Sequence, residues 1–557
     1  MSGCLENFFK QHNSLLPELN QDSSNKDRLF PIRLPNLPEG RKFQAAWLII
    51  PPGYPNQGLA KIRLSQDAVL KLPHVESKGD ICLDGDYGAV SGNSPEDRIN
   101  VLLRKFYLEF LEPWLTGDLD ADFADEASNY WSIHVSKSAS SYDAVTRIYT
   151  VDNRANKPRV YQTRLVLPSR VVIAGKNSYL ADRFIQSLGN RAKQINNVLI
   201  ADIPISYELT PSTWPCKQSD LERLISSRLS EAQRHKFGKK SGHRGRAIHR
   251  IVILRAPRCS FGFLLSGGPP TVVEKGYSKR AYPTRQMLPL LVDRIDPSWT
   301  YGRDQHPEVI NRQQQHILVL GAGALGSAVI DQLAKAGIGR ISVVDPDILT
   351  TANIGRHLLG AESIGLAKAG SLTQRISLSN PAIKLDPFNM SAQAWINKYT
   401  LEGVDVILDL TGEPEVRWFL EIARNVNPCP LLIGWMEPYV AAAHACMLPV
   451  GEKWMLIAVD PLESLQAIDW PEEVMQKEPA CSSEFQAYTS AAAAHAVALV
   501  SEAALALIDK KITRPIVRSW VRGQNFLDAH YPDLKFRNWS EKAASFDGIS
   551  IERGLHD

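Results

Sequence analysis

Cysteine is scarce and poorly spaced for metal. Seven cysteines are spread through 557 residues (Cys4, Cys82, Cys216, Cys259, Cys429, Cys446 and Cys481), and none forms a CxxC pair. A zinc module has no sequence support and is not expected, and an odd, sparse set reads as the reduced thiols of a cytoplasmic protein. An excess of one charge is also lacking: 63 Lys+Arg against 60 Asp+Glu leave +3, so net charge names no partner. The first residues, MSGCLENFFK, hold no basic stretch followed by an apolar run, so no secretory signal is expected. One long apolar stretch stands alone, at residues 491–508. It is rich in alanine and interrupted by Ser501 and Glu502, which predicts a buried helix and no membrane contact. Internal repeats and low-complexity tracts are absent too.

What remains is a globular composition, 44% hydrophobic and 22% charged, long enough for three or four domains. Turn-rich boundaries near 133–160 and 296–315 divide the chain into blocks 1–140, 141–300 and 301–557. The middle block reads as mixed α/β. VYQTRLVLP and NVLIADIPI have the composition of strands, and Leu221, Leu224, Ile225 and Leu229 predict a helix over 220–234. Residues 234–258 carry nine Lys/Arg and no acid. That run reads as a solvated basic loop, or as a site for an acidic protein tail or nucleic acid. Without aromatic interleaving or a known module motif, nucleic acid is not expected.

The third block opens with an apolar strand, residues 316–320. It runs into Gly321-Ala-Gly323-Ala-Leu-Gly326, a helical stretch to Ala334, Gly337 as a stop, a second strand over 340–344, and Asp345. Gly321 permits the tight turn, Gly323 lets backbone approach a phosphate, and Gly326 allows close helix packing. The helix N-terminus favours an anion, and a carboxylate at Asp345 can accept from ribose hydroxyls. This much specifies a nucleotide without choosing between NAD and ATP. The residues that follow choose: Asp345-Pro-Asp347, Asn353-Ile-Gly-Arg356 and Gly365-Leu-Ala-Lys368-Ala369. Cations converging on the phosphates serve adenylation, where charge must be offset as pyrophosphate leaves.

The ordered string over 316–370 resembles the ThiF family, the adenylation fold of ubiquitin-activating enzymes and their sulfur-carrier relatives. The resemblance implies a Rossmann-like domain with ATP and Mg²⁺ as cofactors. It also implies a ribose contact by Asp345 and phosphate contacts by Asn353, Arg356 and Lys368, with Asp347 beside them. Arg303, in Tyr301-Gly-Arg303-Asp-Gln305, resembles the arginine that reaches ATP across a family homodimer. One departure is visible. Where the family carries an Mg²⁺-holding aspartate after the strand ending Asp409-Leu-Thr411, this chain has Gly412 and Glu413, so Asp409 or Glu413 is expected to supply the oxygens. Cys481 falls in a polar crossover, 460–480 and just beyond, before the alanine-rich helix. Thioester-forming relatives keep their catalytic cysteine in such a crossover.

The first block shows a strand over 43–50, the turn Pro51-Pro-Gly-Tyr54-Pro55, and a strand over 60–64. Leu72-Pro73-His74 follows, then Cys82-Leu83 and the helix start Ser94-Pro95-Glu96-Asp97. Ile99, Leu103, Phe106 and Phe110 mark one buried face of that helix. This pattern resembles a ubiquitin-conjugating enzyme, with Leu72 and His74 departing from the family's His-Pro-Asn. The resemblance implies an acyl-accepting thiol at Cys82. A donor at His74 can stabilise the oxyanion of aminolysis.

Together the two resemblances imply a multidomain α/β and α+β chain similar to the fusion proteins of bacterial CBASS anti-phage operons. Its conjugating-like domain comes first, a mixed α/β domain follows, and the adenylation domain is last. The expected chemistry is adenylation of a protein C-terminus, transfer to Cys481 and then Cys82, and conjugation to a lysine-bearing target. The acyl donor implied is a cGAS-like nucleotidyltransferase, or a dedicated ubiquitin-like protein. Two alternatives remain: a degenerate ATP-binding scaffold without transfer, and a sulfur-carrier adenylyltransferase.

Overall fold

The computed structural model describes residues 10–19, 27–83, 94–138, 145–152, 156–189, 192–238, 249–265, 287–455, 459–471, 474, 476–477, 484–485, 488–531 and 533–555. The chain forms two compact units, one of residues 1–176 and 193–293, the other of 177–192 and 294–557.

The first unit begins with an antiparallel sheet of β1 (Arg28–Pro31), β2 (Ala46–Ile50) and β3 (Lys61–Leu64). The helix Pro95–Lys105 starts where a capping box predicts. The Ser94 hydroxyl accepts from the Asp97 N–H at 3.1 Å, and the Asp97 carboxylate accepts from the Ser94 N–H at 3.3 Å. Ile99, Leu103, Phe106 and Phe110 are all buried, as their spacing predicts. The residues of the expected middle block enclose an apolar cluster of their own, including Ile148, Leu165, Val172, Val198, Ile200, Ile251 and Leu290. Seven strands close into a barrel: β4 (Arg147–Thr150), β5 (Arg159–Leu167), β6 (Val171–Ala174), β7 (Lys193–Pro204), β8 (His249–Arg255), β9 (Ser260–Leu265) and β10 (Met287–Arg294). Their order around the barrel is β10-β4-β6-β5-β7-β8-β9. The helix Ala127–Ser138 packs on it: the Trp131 indole N–H donates to the Leu290 carbonyl at 3.0 Å, and its ring meets Phe261 and Phe263. One hydrophobic cluster runs from Leu15 through Leu265. The helix expected over 220–234 is two, Gln218–Arg228 and Glu231–Phe237, because Ser230 caps the second.

The second unit is built on an eight-stranded sheet. Its strands are β11 (His316–Leu320), β12 (Arg340–Val344), β13 (Lys384–Phe388), β14 (Val406–Asp409), β15 (Leu431–Met436) and β16 (Ala442–Leu448), with two more at Ile516–Arg522 and Gly548–Gly554. The order is β13-β12-β11-β14-β15-β16 and then those two; neighbours from β13 to β15 are parallel and the rest antiparallel. After His316, the central strand β11 is an unbroken apolar run because both its faces are covered, whereas the edge strand β13 carries Lys384 and Asp386. Ile317 and Val319 enter one core cluster, Leu318 and Leu320 the other. The alanine-rich stretch is the helix Ser490–Ile508, with Ala496, Val500, Ala503 and Ala504 in the core. Residues 454, 455 and 459, at the ends of an apolar run that reads as a strand, form none. The helix Ser178–Ser187 joins this unit from the middle of the sequence, and the Tyr179 hydroxyl donates to the Ile383 carbonyl at 3.4 Å.

Candidate active site

Strand order fixes where a ligand sits. From β11 the chain steps to β12 and β13 on one side, then returns to place β14 on the other. The crevice outside the carboxyl ends of β11 and β14 is thus the switch point of the sheet. The glycine turn fills it. Gly321 has φ +88, and a Cβ there would lie 2.8 Å from the Leu410 carbonyl oxygen at the end of β14. A Cβ at Gly326 would lie 2.0 Å from the Gly321 oxygen, so the helix Ala324–Lys335 can start here only on glycine. Around a Cβ at Gly323 there is no atom within 4 Å; the turn is open on the side where a phosphate would approach.

Gly323 lines a cavity of about 180 Å³ together with Ala324, Asn353, Arg356, His357, Lys368 and Tyr488. Three of the expected phosphate contacts therefore converge from two segments, the loop of Asn353 and Arg356 and the helix that Lys368 opens. Lys368 is the first residue of the helix Lys368–Ser379 and only 8% exposed; its ammonium donates to Asp347 Oδ2 at 2.8 Å. The Asn353 Oδ1 accepts from the Thr350 N–H and hydroxyl, each at 3.0 Å, fixing the loop that carries Arg356. The Arg356 guanidinium carbon lies 4.8 Å over the Tyr488 ring.

Asp345 differs in its first task. It is buried, with Oδ2 accepting from the Ala322 N–H at 2.7 Å and Oδ1 from the Asp347 N–H at 2.8 Å. It clamps the glycine turn, and a ribose contact is left to its remaining lone pairs. The next peptide of the turn, Ala322–Gly323, is held by His357, a residue that sequence reasoning missed. Its Nε2–H donates to the Ala322 carbonyl at 2.6 Å, while Nδ1 accepts from the Leu359 N–H at 3.0 Å. That network assigns the neutral tautomer, and burial holds its pKa below the usual histidine value. Tyr488 was missed as well; neither residue carries a spacing signal. Arg303 is exposed at the end of the helix Pro297–Gly302 and is not among the lining residues.

The two candidate Mg²⁺ residues have unlike settings. Asp409 is buried at the end of β14. Its Oδ1 accepts from the Thr411 hydroxyl at 2.7 Å, and its Oδ2 has no hydrogen-bond partner among the described residues. Burial pushes its pKa up to about 6, against the opposing hydrogen bonds of Thr411. Glu413 is exposed, its carboxyl raised by burial first, then by Glu415, Asp347 and Asp345. Gly412 between them has φ +76, a conformation an aspartate would strain to adopt. Among the described residues no group of three metal-ligating side chains assembles.

A pH prediction follows from Asp409. Its folded pKa of about 6 lies above the ordinary 3.8, so the stability it contributes is present below 3.8 and lost as pH rises through 6. In Mg²⁺-free buffer, Asp409→Asn should raise the melting temperature at pH 8 and leave it unchanged at pH 3.5. The shift corresponds to about 3 kcal/mol. Equal melting shifts at both pH values would refute the assignment.

In the first unit, Cys82 is exposed, and its N–H donates to the His74 carbonyl at 2.8 Å. His74 sits at φ +61. Its side chain faces carboxylates: Nε2 is 2.8 Å from Asp122 Oδ2, and Nδ1 is 3.6 Å from Glu126 Oε1. The His74 N–H donates to the Tyr130 hydroxyl at 2.7 Å, which donates in turn to Glu126. Cys481, and residues 239–248 of the basic run, lie outside the described residues.

Residues 307–436 match the ThiF family model, so the second unit contains a ThiF domain on a Rossmann-like sheet. The chain is 24% identical over 279 residues to the ATP-dependent ubiquitin transferase-like protein Cap2 of Pseudomonas aeruginosa, covering 48% of this chain and 50% of Cap2. It is 31% identical over 123 residues to the adenylyltransferase and sulfurtransferase UBA4 of Yarrowia lipolytica, covering 22% of this chain and 31% of UBA4. The chain thus spans half or less of the length of these curated relatives. The crystal structure of E. coli MccB with ATP aligns at 16% identity and a TM-score of 0.28, covering 38% of this chain and 61% of MccB. The ThiF match and the similarity to Cap2 bear out the resemblance to bacterial fusions that carry an adenylation domain.

Proposed function

We propose that this chain activates the C-terminal carboxylate of a protein with ATP, relays the acyl group through Cys481 and Cys82, and conjugates it to a target lysine. The observation that carries the reading is the convergence of Gly323, Asn353, Arg356 and Lys368 on one cavity at the switch point of the sheet. A donor carboxylate oxygen attacks the α-phosphorus, and the bond to pyrophosphate breaks. Arg356 and Lys368 offset the charge that develops on the leaving group, and the N–H groups of the helix Ala324–Lys335 add to them. The Cys481 thiolate then attacks the acyl carbon and AMP leaves. Cys82 accepts the acyl group by thioester exchange, and an amine attack releases the product.

The residues fit Mg²⁺, which would screen the phosphates. Asp409 offers a buried oxygen without a partner and Glu413 a second carboxylate, the count that Mg²⁺ takes when phosphates and water complete its shell. Similarity to Cap2 supports ubiquitin-like transfer, in the setting of bacterial CBASS defence. The donor is then a cGAS-like nucleotidyltransferase or a ubiquitin-like protein in the cytoplasm. The exposed thiol of Cys82 supports a ubiquitin-conjugating-like role for the first 140 residues, with His74 as a positioning residue because both its ring nitrogens face carboxylates. Arg303 would serve the site of a second copy in a homodimer. The matches to UBA4 favour a second reading, a sulfur-carrier adenylyltransferase, in which neither Cys82 nor a target lysine takes part.

The two separate on a gel run with and without reductant. Cys82→Ser should accumulate a reductant-resistant ester on the introduced serine only when Cys481 is intact, because a serine ester survives thiols and a thioester does not. Loading of position 82 in the Cys481→Ala protein would refute the relay. Conjugate formed by Cys82→Ala would refute the two-thiol mechanism.

A further inference from the structure

Beside the nucleotide cavity, and sharing Arg356 and Tyr488 with it, lies an open cleft of about 970 Å³. Small residues line part of it (Ala352, Gly355, Ser490, Ala491), leaving room for an extended backbone. The rest is cationic and aromatic: Tyr439, His495, Arg522, Phe526 and His530. Among the described residues that line it, none is acidic.

Arg522 is the centre of this wall. Its guanidinium carbon lies 4.8 Å over the Trp520 ring and 4.3 Å over the Phe526 ring. The Trp520 ring stacks on His495 at 4.1 Å, and the Phe526 ring on His530 at 4.1 Å. Aromatic rings stabilise a guanidinium but cannot take its in-plane N–H donors. Among the described residues, the buried Arg522 Nε has no hydrogen-bond partner, and burial lowers the pKa of the group with no described carboxylate opposing it. A fork of donors held by rings and left without an acceptor suits a carboxylate. The cleft is also strained where it meets the loop after β15. Tyr439 and Val440 have φ +56 and +55, held there by a buried network. In it, Glu437 accepts from His444 Nε2 at 2.7 Å and from the Trp470 indole N–H at 2.7 Å, and His444 Nδ1 meets the Ser519 hydroxyl at 2.8 Å. Strain kept by such a network is characteristic of a binding site.

We infer that Arg522 selects acyl donors that carry an acidic side chain in the last few residues before the activated carboxylate. The inference rests on the adenylation reading, since the cleft leads to the nucleotide cavity.

The test uses the full chain and three labelled octapeptides with free C-terminal carboxylates, Ser-Xaa-Gly-Xaa-Gly-Xaa-Gly-Gly, with Glu, Gln or Lys as Xaa. Fluorescence anisotropy at low ionic strength should give the Glu peptide about tenfold tighter binding than the Gln peptide, the scale of one charge-assisted hydrogen bond, with the Lys peptide weakest. Arg522→Gln should level the series. Arg522→Glu should invert it, a gain that a misfolded protein cannot produce. Equal binding of the Glu and Lys peptides, no binding of any, or a Glu preference that survives Arg522→Glu would overturn the inference. ATP–pyrophosphate exchange with the same peptides reads the adenylation step separately. No exchange with a retained Glu order would count against adenylation and for the acidic preference.

Discussion

Lys368→Ala should abolish ATP–pyrophosphate exchange driven by a protein C-terminus, by about 10²–10³-fold, the usual cost of removing one preorganised charge from a transition state. The residue earns that expectation by placement. At 8% exposure its ammonium is held by Asp347 and opens on the cavity lined by Gly323, Asn353 and Arg356. A cation so desolvated acts on a developing negative charge with little screening by water. Cys82→Ala should retain exchange, because the thiol acts after adenylate formation. Normal exchange by a folded Lys368→Ala protein would remove Lys368 from the phosphate site.

Asp202→Ala should cost the first unit about 3–5 kcal/mol, read as an earlier transition in chemical denaturation. Asp202 is 0% exposed on β7, and Arg255 on β8 is 5% exposed. Arg255 binds it with both prongs, Nε at 2.6 Å and Nη2 at 3.0 Å, and Arg159 on β5 adds Nη2 at 2.8 Å. Removing Asp202 leaves the buried Arg255 guanidinium without a carboxylate partner among the described residues, and Arg159 with Asp152 alone, at 3.2 Å. Asp202→Asn keeps acceptor geometry on one oxygen and should lose less. An unchanged transition in Asp202→Ala would show that water reaches this cluster.

The adenylation site was legible because its chemistry is local and ordered. Gly321, Gly323 and Gly326 announce a turn, and Asn353, Arg356 and Lys368 follow at spacings that only a shared ligand explains. The helix face of Ile99, Leu103, Phe106 and Phe110 was legible by periodicity. Barrel closure was not, because β4 and β10 lie far apart in sequence and nothing in either names its neighbour. The break at Ser230 was written in the chain, as Ser-Glu-Ala-Gln, but the leucine spacing across it masked the cap. His357 and the wall of Trp520, Arg522 and Phe526 were silent because their meaning is a contact, and contacts between distant segments leave no local pattern.

The helix Ser178–Ser187 has a consequence for dissection of the protein. It lies in sequence between two strands of the barrel, yet it packs with the helix Lys368–Ser379, whose first residue is the phosphate-side lysine. A C-terminal fragment that begins at residue 294 lacks it and exposes the back of that helix. A fragment ending at residue 293 carries it as an unpartnered excursion. The two units are therefore interleaved along the gene, and neither separates at a single cut. A shuffled or exchanged adenylation module must bring residues 177–192 with it, or supply another surface to cover the same helix.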